Sequence, residues 1–277
     1  MDTVDRALEA RVDYERYEVT RGGRSTLVRP FPISIDYERH AQIAATQEVD
    51  SEVAHWRRRI GPFEYLGIGI DRVDYTKGIP DRLRALDYLL SEHPEYRGKL
   101  VFVQVGVPSR THIPQYRQLN EEVRAMVDEI NWKYERGGWR PIVLISKHCA
   151  LPRMIALHRL ATFCLVNSLH DGMNLVAKEF VASRDDEGGT LILSQFTGAA
   201  REFEEALLIN PFSLEETAAA MDRAISMPDA ERRWRMQRLR QTVAENNIYR
   251  WGGKFIEGLL RRETVEFTEP AAVSAMA

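Results

Sequence analysis

Cysteine is almost absent: the 277 residues hold only Cys149 and Cys164. Two are too few for a disulfide framework, and their spacing matches no zinc, iron–sulfur or haem motif. A reducing, cytoplasmic setting is the expectation. An excess of charge of one sign is also missing. With 38 Lys+Arg against 41 Asp+Glu and a net charge of −3, the chain lacks the electrostatic footprint of a dedicated nucleic-acid or anionic-membrane binder. No apolar run approaches the ~20 residues that span a bilayer. The N-terminus, MDTVDRALEARVDYERYE, has no apolar stretch of the signal-peptide kind. No strand candidate is followed by Gly-x-Gly-x-x-Gly, and no Walker A loop or Ser or Cys nucleophile motif occurs, which argues against a nicotinamide dehydrogenase, a P-loop NTPase and a triad hydrolase.

What remains is ordinary globular composition, 44% apolar and 29% charged, with enough chain for a sizeable core. Short β-branched runs predict strands at 64–70, 99–107, 141–146, 163–168, 190–194 and 206–210. Helical patterns separate or follow them at 80–92, 113–136, 151–160, 174–183, 214–226, 229–246 and 250–262. Alternation of this kind implies right-handed crossovers and an α/β fold: a Rossmann-like parallel sheet with helices on both faces. Pro80 suits a first helical turn, and Gly137-Gly138 is read as ending the long helix. Trp132, Trp139 and Trp251 are expected in the core or as helix-docking residues. The arginine run 231–241 reads as a solvated helix face with Trp234 and Leu239 as its buried contacts. Residues 1–36 contain a helical stretch (3–12), a Gly22-Gly23 turn and an extended segment, too little to bury a core. Residues 263–277 are expected to fray.

Ligands of open parallel sheets bind beyond the carboxyl ends of the strands, so the loops there carry the chemistry. The first, DRVDYTKG (71–78), presents Arg72 and Lys77, a planar fork and a point charge that together suit a diphosphate; the blander alternative is a pair of surface cations. HDGMNLVAKE (170–179) is more informative. Gly172 permits a tight turn, Asn174 is a good N-cap, and the amides of Leu175 and Val176 then form an anion site at the positive end of a helix. Glu179, one turn on, can accept hydrogen bonds from ribose hydroxyls. Asp171 is either a site carboxylate or a turn-former. Arg110, in PSRTH, is a second candidate anion binder or a helix-start charge. His148 can meet a base or sugar, although a lone histidine is more often structural.

DRVDYTKG, VPSRTH, INWKY, SLHDGMNLVAKEFVAS, LILSQFTGAARE and ENNIYRW, in this order from about residue 30 to residue 262, resemble the trehalose-6-phosphate synthases, a family of retaining glycosyltransferases with the GT-B architecture. The resemblance implies the C-terminal half of a GT-B fold. Residues 1–36 would be a remnant of the N-terminal acceptor domain and the interdomain connection, 37–262 the nucleotide-sugar-binding domain, and Met1 an internal methionine of a longer reading frame. It further implies transfer of glucose from UDP-glucose to glucose-6-phosphate, giving trehalose-6-phosphate and UDP, with no metal or other cofactor. Arg72 and Lys77 would grip the diphosphate and Asp171 the hydroxyls of the transferred glucose, these three being the catalytic set. Leu175 and Val176 would offer backbone amides and Glu179 would hold the ribose. Gly172, Met173, Asn174, Ala177 and Lys178 would complete the donor loop, the backbone near His148 and Cys149 would face the uracil, and Arg110 would reach the acceptor phosphate. A catalytically inactive nucleotide-binding fragment, or a relative acting on another phosphorylated acceptor such as glycerol-3-phosphate, is the alternative. An exposed apolar patch, and with it self-association into a homo-oligomer, is also expected.

Overall fold

Six of the nine strands among the described residues read almost as written in the sequence. In the computed structural model, which describes residues 1–263, they are β4 (Tyr65–Val73), β5 (Leu100–Pro108), β6 (Ile142–Ile145), β7 (Phe163–Val166), β8 (Thr190–Ser194) and β9 (Leu207–Ile209). Of the tail expected to fray over 263–277, Glu263 ends the helix Ile248–Glu263, and residues 264–277 lie outside the described residues. Every pairing among these six strands is parallel, in the order β6-β5-β4-β7-β8-β9. The chain therefore starts in the middle, winds outward to β6, returns to β7 and winds outward again. That is the doubly wound Rossmann order, with its switch point between β4 and β7.

Period-2 alternation sorts the strand residues onto two cores. Leu66, Ile68, Ile70, Val101, Val103, Cys164, Val166, Leu191 and Leu193 face one side. That side is covered by α2 (Tyr37–Ala44), α3 (Gln47–Ile60), α6 (Leu151–Leu160), α7 (Leu175–Ala182) and α9 (Asp229–Glu245). Phe102, Phe163, Leu165 and Ile192 face the other, under α4 (Ile79–Glu92), α5 (Pro114–Tyr134) and α8 (Leu214–Ser226). The glycines of the GIGI stretch in β4 have steric reasons. A Cβ on Gly67 would stand 2.5 Å from the Phe163 ring and 2.6 Å from the Phe102 ring, and one on Gly69 would stand 2.3 Å from the Arg82 guanidinium.

The described chain divides into two compact units, Ile33–Arg250 and a second made of Met1–Pro32 with the segment from Trp251 onward. The second unit contains α1 (Asp2–Ala7) and a three-stranded antiparallel sheet, β1 (Arg11–Asp13), β2 (Glu18–Arg21) and β3 (Arg24–Leu27). Gly22 and Gly23, both at positive φ, close the β2–β3 hairpin. Trp251, Phe255 and Gly258, one face of α10 (Ile248–Glu263), pack against Phe31; the Trp251 Nε1–H donates to the Phe31 carbonyl at 3.0 Å.

Several expectations need correction. The helix read over 3–12 stops at Ala7, because Arg11–Asp13 pairs with Glu18–Thr20 in a hairpin. No helix was expected over 37–60, yet α2 and α3 lie there; their apolar stripes are narrow, and α3 fully buries only Val49 and Trp56. Trp132 is 85% exposed. The buried positions of α5 are Val123, Val127, Ile130 and Tyr134, and Trp132 stands about 200° round the helix from Ile130. Trp234, 54% exposed, fails for the same reason, standing two residues from buried Met236. Leu239 is buried as expected. Gly137-Gly138 forms a tight turn between Arg136 and Trp139 rather than the end of α5, which stops at Tyr134.

Candidate functional site

The C-terminal ends of β4 and β7 meet at the switch point, and hydrogen bonds join the loops that follow them. After β4, Asp74 caps a 3-10 turn over Tyr75–Lys77, its Oδ1 accepting from the Thr76 amide and hydroxyl, both at 3.0 Å. Burial opposes ionisation of Asp74, but these bonds, one from Tyr116 and the nearby Arg110 charge hold its carboxyl below the usual range. The Thr76 carbonyl accepts from the amides of Leu169 and His170 in the loop after β7. Gly78, at φ +62°, brings the chain so close to that loop that a Cβ would lie 2.7 Å from the Asn167 carbonyl.

This juxtaposition puts Lys77 on Asp171, with Nζ to Oδ2 at 2.5 Å. The same carboxylate accepts from Ser168 Oγ, Asn174 Nδ2 and the Gly172 amide. Burial would raise Asp171, but the bonds from Lys77, Asn174 and Gly172 outweigh it and keep the carboxyl ionised. Asn174, itself in the left-handed region at φ +48°, caps α7 by accepting from the Ala177 amide at 3.1 Å. The amides of Leu175 and Val176 at the start of α7 have no partner one turn back, which is the geometry of a helix-end anion site. Met173 is half-buried beside Gly198, whose amide donates to the Gly172 carbonyl.

Arg72 lies at the exposed end of β4, in register with Val107. Strand alternation places it with Leu66, Ile68 and Ile70 on the α7 side of the sheet. No hydrogen bond or ion pair engages its guanidinium among the described residues, so it is free to meet an anion. Lys178 does not join this group. Its ammonium turns away to Glu202 at 2.7 Å and the Ile33 carbonyl at 3.2 Å and is 1% exposed, so it anchors α7. Ala177 is likewise fully buried and contributes its amide to the cap.

Glu179 stands apart from these partnered carboxylates. Burial alone pushes its carboxyl up to about 7, and no donor reaches it among the described residues. The folded state thus keeps a proton on Glu179 where an unfolded chain, at the ordinary 4.5, has lost it. This contribution to stability is present below pH 4.5 and is lost as pH rises through about 7. Glu179→Gln is therefore expected to stabilise the chain at pH 8 by roughly 2–3 kcal/mol and to leave it unchanged at pH 4.5. Urea unfolding at the two pH values checks this; equal midpoints at pH 8 would refute it.

Arg110 follows β5 at φ +47°. Its Nη1 donates to the Tyr116 hydroxyl at 2.6 Å, and that hydroxyl donates to Asp74 Oδ2 at 3.2 Å. The acceptor candidate is thereby tied to the turn that carries Lys77. His148 and Cys149 follow β6, two strands or about 10 Å from β4. His148 is exposed at the rim of a cleft of about 390 Å³ that Trp56, Arg59 and Arg153 also line. The Cys149 thiol is buried and pushed up by burial. Tyr75, Phe196 and Phe212 are exposed apolar side chains in the loops after β4, β8 and β9. No three His, Cys, Asp or Glu side chains cluster in a way that could hold a metal ion among the described residues. No helix among them is long and apolar enough to cross a membrane.

Beneath the loops lies a buried network that the sequence reading missed. The fully buried Arg82 guanidinium donates to Asn167 Oδ1 at 2.6 Å and Gln104 Oε1 at 2.8 Å, and forms an ion pair with Asp71 Oδ2 at 2.8 Å. Asn167 passes the support on, its Nδ2 donating to the Gly78 carbonyl at 2.8 Å. Two signals were present in the sequence: Gln104 is a lone polar residue inside a buried strand and needs a partner, and Gly69 marks a close approach.

Comparison with known proteins agrees with this geometry. The model of glycosyltransferase family 20 matches residues 1–261. The bifunctional trehalose-6-phosphate synthase/phosphatase of Thermoproteus tenax is 41% identical over 249 residues, 88% of this chain and 34% of that protein. The trehalose-phosphate synthase of Burkholderia xenovorans, solved in complex with glucose-6-phosphate, superimposes with a TM-score of 0.88 at 32% identity over 93% of this chain and 57% of that one. A trehalose-6-phosphate structure from E. coli bound with UDP-2-fluoro glucose gives 0.87 at 32% identity, over 93% of this chain and 57% of that one. The chain thus spans about a third of the first of these proteins and little more than half of the other two, in agreement with the expected C-terminal half of a GT-B fold. With the family model covering nearly its whole length, the chain belongs to glycosyltransferase family 20.

Proposed function

We propose that this chain is the donor-binding part of a retaining glucosyltransferase that moves glucose from UDP-glucose to glucose-6-phosphate, yielding trehalose-6-phosphate and UDP. One observation carries the reading: Lys77, Asp171 and the amide end of α7 converge at the switch point of the sheet. Arg72, without a partner among the described residues, is the penultimate residue of the strand that leads into the same loop. Two cations and a helix N-terminus suit a pyrophosphate, and an oriented carboxylate beside them suits the hydroxyls of a sugar attached to it. The bound ligands of the Burkholderia and E. coli structures support this choice of substrates.

In the reaction, the bond from the glucose anomeric carbon to the UDP oxygen breaks and a bond to the acceptor's anomeric hydroxyl forms on the same face. The leaving phosphate oxygen takes the acceptor's proton, so no enzymic nucleophile is needed. Arg72, Lys77 and the α7 amides stabilise the charge that develops on UDP without calling on a metal. Arg110, positioned through Tyr116, holds the acceptor phosphate.

The test is incubation of the 277-residue chain with UDP-glucose and glucose-6-phosphate, with calorimetric titration of UDP alongside. Formation of trehalose-6-phosphate supports the reading. UDP binding without turnover reduces the chain to a nucleotide-binding fragment, and absence of UDP binding refutes it. Arg110→Ala is expected to raise the glucose-6-phosphate requirement by roughly 10- to 100-fold, the worth of a charge-assisted contact, and to leave UDP affinity unaltered. Equal loss of both would remove Arg110 from the acceptor site.

A further inference from the structure

Among the described residues no donor or cation reaches the Glu179 carboxylate, so its direction is set by how α7 is seated. Asn174 and Lys178 pin the first turns of that helix. Its last turn is held by Arg240 Nη1, which donates to the Val181 and Ala182 carbonyls at 3.3 Å, and, on the side that faces α2 and α6, by one buried hydroxyl. Ser183 Oγ donates to the Glu179 carbonyl at 2.7 Å, and the Ser183 amide donates to the same oxygen at 3.0 Å. With its proton committed, the hydroxyl can only accept further bonds. His40 Nε2 lies 2.9 Å away and His158 Nδ1 3.2 Å away, so each of these nitrogens carries its proton and both tautomers are fixed. His40 comes from α2 and His158 from α6; three helices meet at one oxygen. The site is dry, with Ser183 at 0%, His158 at 1% and His40 at 7% exposure. Burial lowers the imidazoles to about 4 and about 3, with the neighbouring Arg184 charge adding to the effect at His158, so both stay neutral donors at physiological pH.

We propose that Ser183, clamped between His40 and His158, is a positioning residue that aims the Glu179 carboxylate at the ribose diol of a bound nucleoside diphosphate. Glu179 and Ser183 are one helical turn apart. Turning α7 about its axis would break both buried histidine hydrogen bonds at once, and a shift of about 1 Å at the carboxylate is enough to spoil its contact with a hydroxyl. The proposal rests on the donor-binding reading above and adds the device that sets ribose recognition.

The test compares UDP with 2′,3′-dideoxy-UDP by calorimetry on the full chain at about pH 8, above the value of about 7 to which burial raises Glu179. The unaltered protein is expected to prefer UDP by roughly 10- to 100-fold, the value of hydrogen bonds to a carboxylate. Ser183→Ala and His40→Ala should each cut that preference at least about threefold with dideoxy-UDP affinity unchanged. His40→Gln, whose amide nitrogen replaces imidazole Nε2 as a donor, should restore it, and this pair of variants decides the matter if Ser183→Ala does not fold. An undiminished preference in Ser183→Ala or His40→Ala, or equal loss of affinity for both nucleotides, overturns the clamp alone. Failure of the unaltered chain to bind UDP overturns the donor reading and the clamp with it.

Discussion

Arg82→Ala is expected to destabilise the chain by about 3–5 kcal/mol, the cost of removing one partner from a buried ion pair. At the usual conversion for a chain of this size, that lowers the melting temperature by ~10 °C or more. The size follows from the surroundings: the Arg82 side chain is 0% and the Asp71 side chain 4% exposed. Burial raises the Asp71 carboxyl and the Arg82 charge opposes that shift, so the truncated variant must either bury a bare carboxylate or protonate it. Gln104 and Asn167 lose their donors at the same time. Adding Asp71→Asn should recover part of the loss by removing the stranded charge. Urea denaturation of the single and double variants measures both effects. A loss below about 1 kcal/mol would mean that water reaches the network and would place it among ordinary surface pairs.

Lys77→Ala has the largest expected effect on ligand binding. The ammonium is bonded to Asp171 in the free protein, and in our reading it transfers part of that interaction to the donor diphosphate. Its removal subtracts a cation from the anion site and leaves the Asp171 carboxylate, still held by Ser168, Asn174 and Gly172, to repel the incoming phosphate. Dissociation constants for UDP should rise by roughly 100-fold, and those for uridine, which has no phosphate, should hardly change. Asp171→Asn in the same background should return some affinity by removing the repulsion. Parallel losses for UDP and uridine would show that the variant disturbs the loop and that Lys77 does not meet the diphosphate.

The parts of the molecule legible in the sequence are those where one physical rule acts alone. A parallel strand buried on both faces must be apolar along its length, so β4 to β9 stand out to within three residues at either end. A helix entered through Asn after Gly announces its own cap, and α7 begins where Asn174 predicts. The illegible parts are those where a second element decides. Trp132 and Trp234 attract attention by their size, but only the face on which Ile130 and Met236 sit shows that they point outward. The arginine of the buried quartet lies in DRLRALDYLL, where nothing local separates Arg82 from the exposed Arg84. What distinguishes it is the space made by Gly69 on the preceding strand, 13 residues earlier. Lys178 illustrates the same limit within the site, since next to Glu179 in sequence it turns to Glu202, and the helix sends the two side chains in different directions. His40, His158 and Ser183 are dispersed over 143 residues, and no spacing rule links them.

Both native thiols are shut away: Cys149 is 5% and Cys164 0% exposed. Both are unpaired, and burial raises each above the ordinary thiol range. Because the thiolate is the reactive form, neither competes well for a maleimide. A single cysteine placed on an open helix face, such as that of Trp132, can therefore carry a fluorophore in the otherwise native background, and its emission on nucleotide addition can be followed without replacing either native thiol.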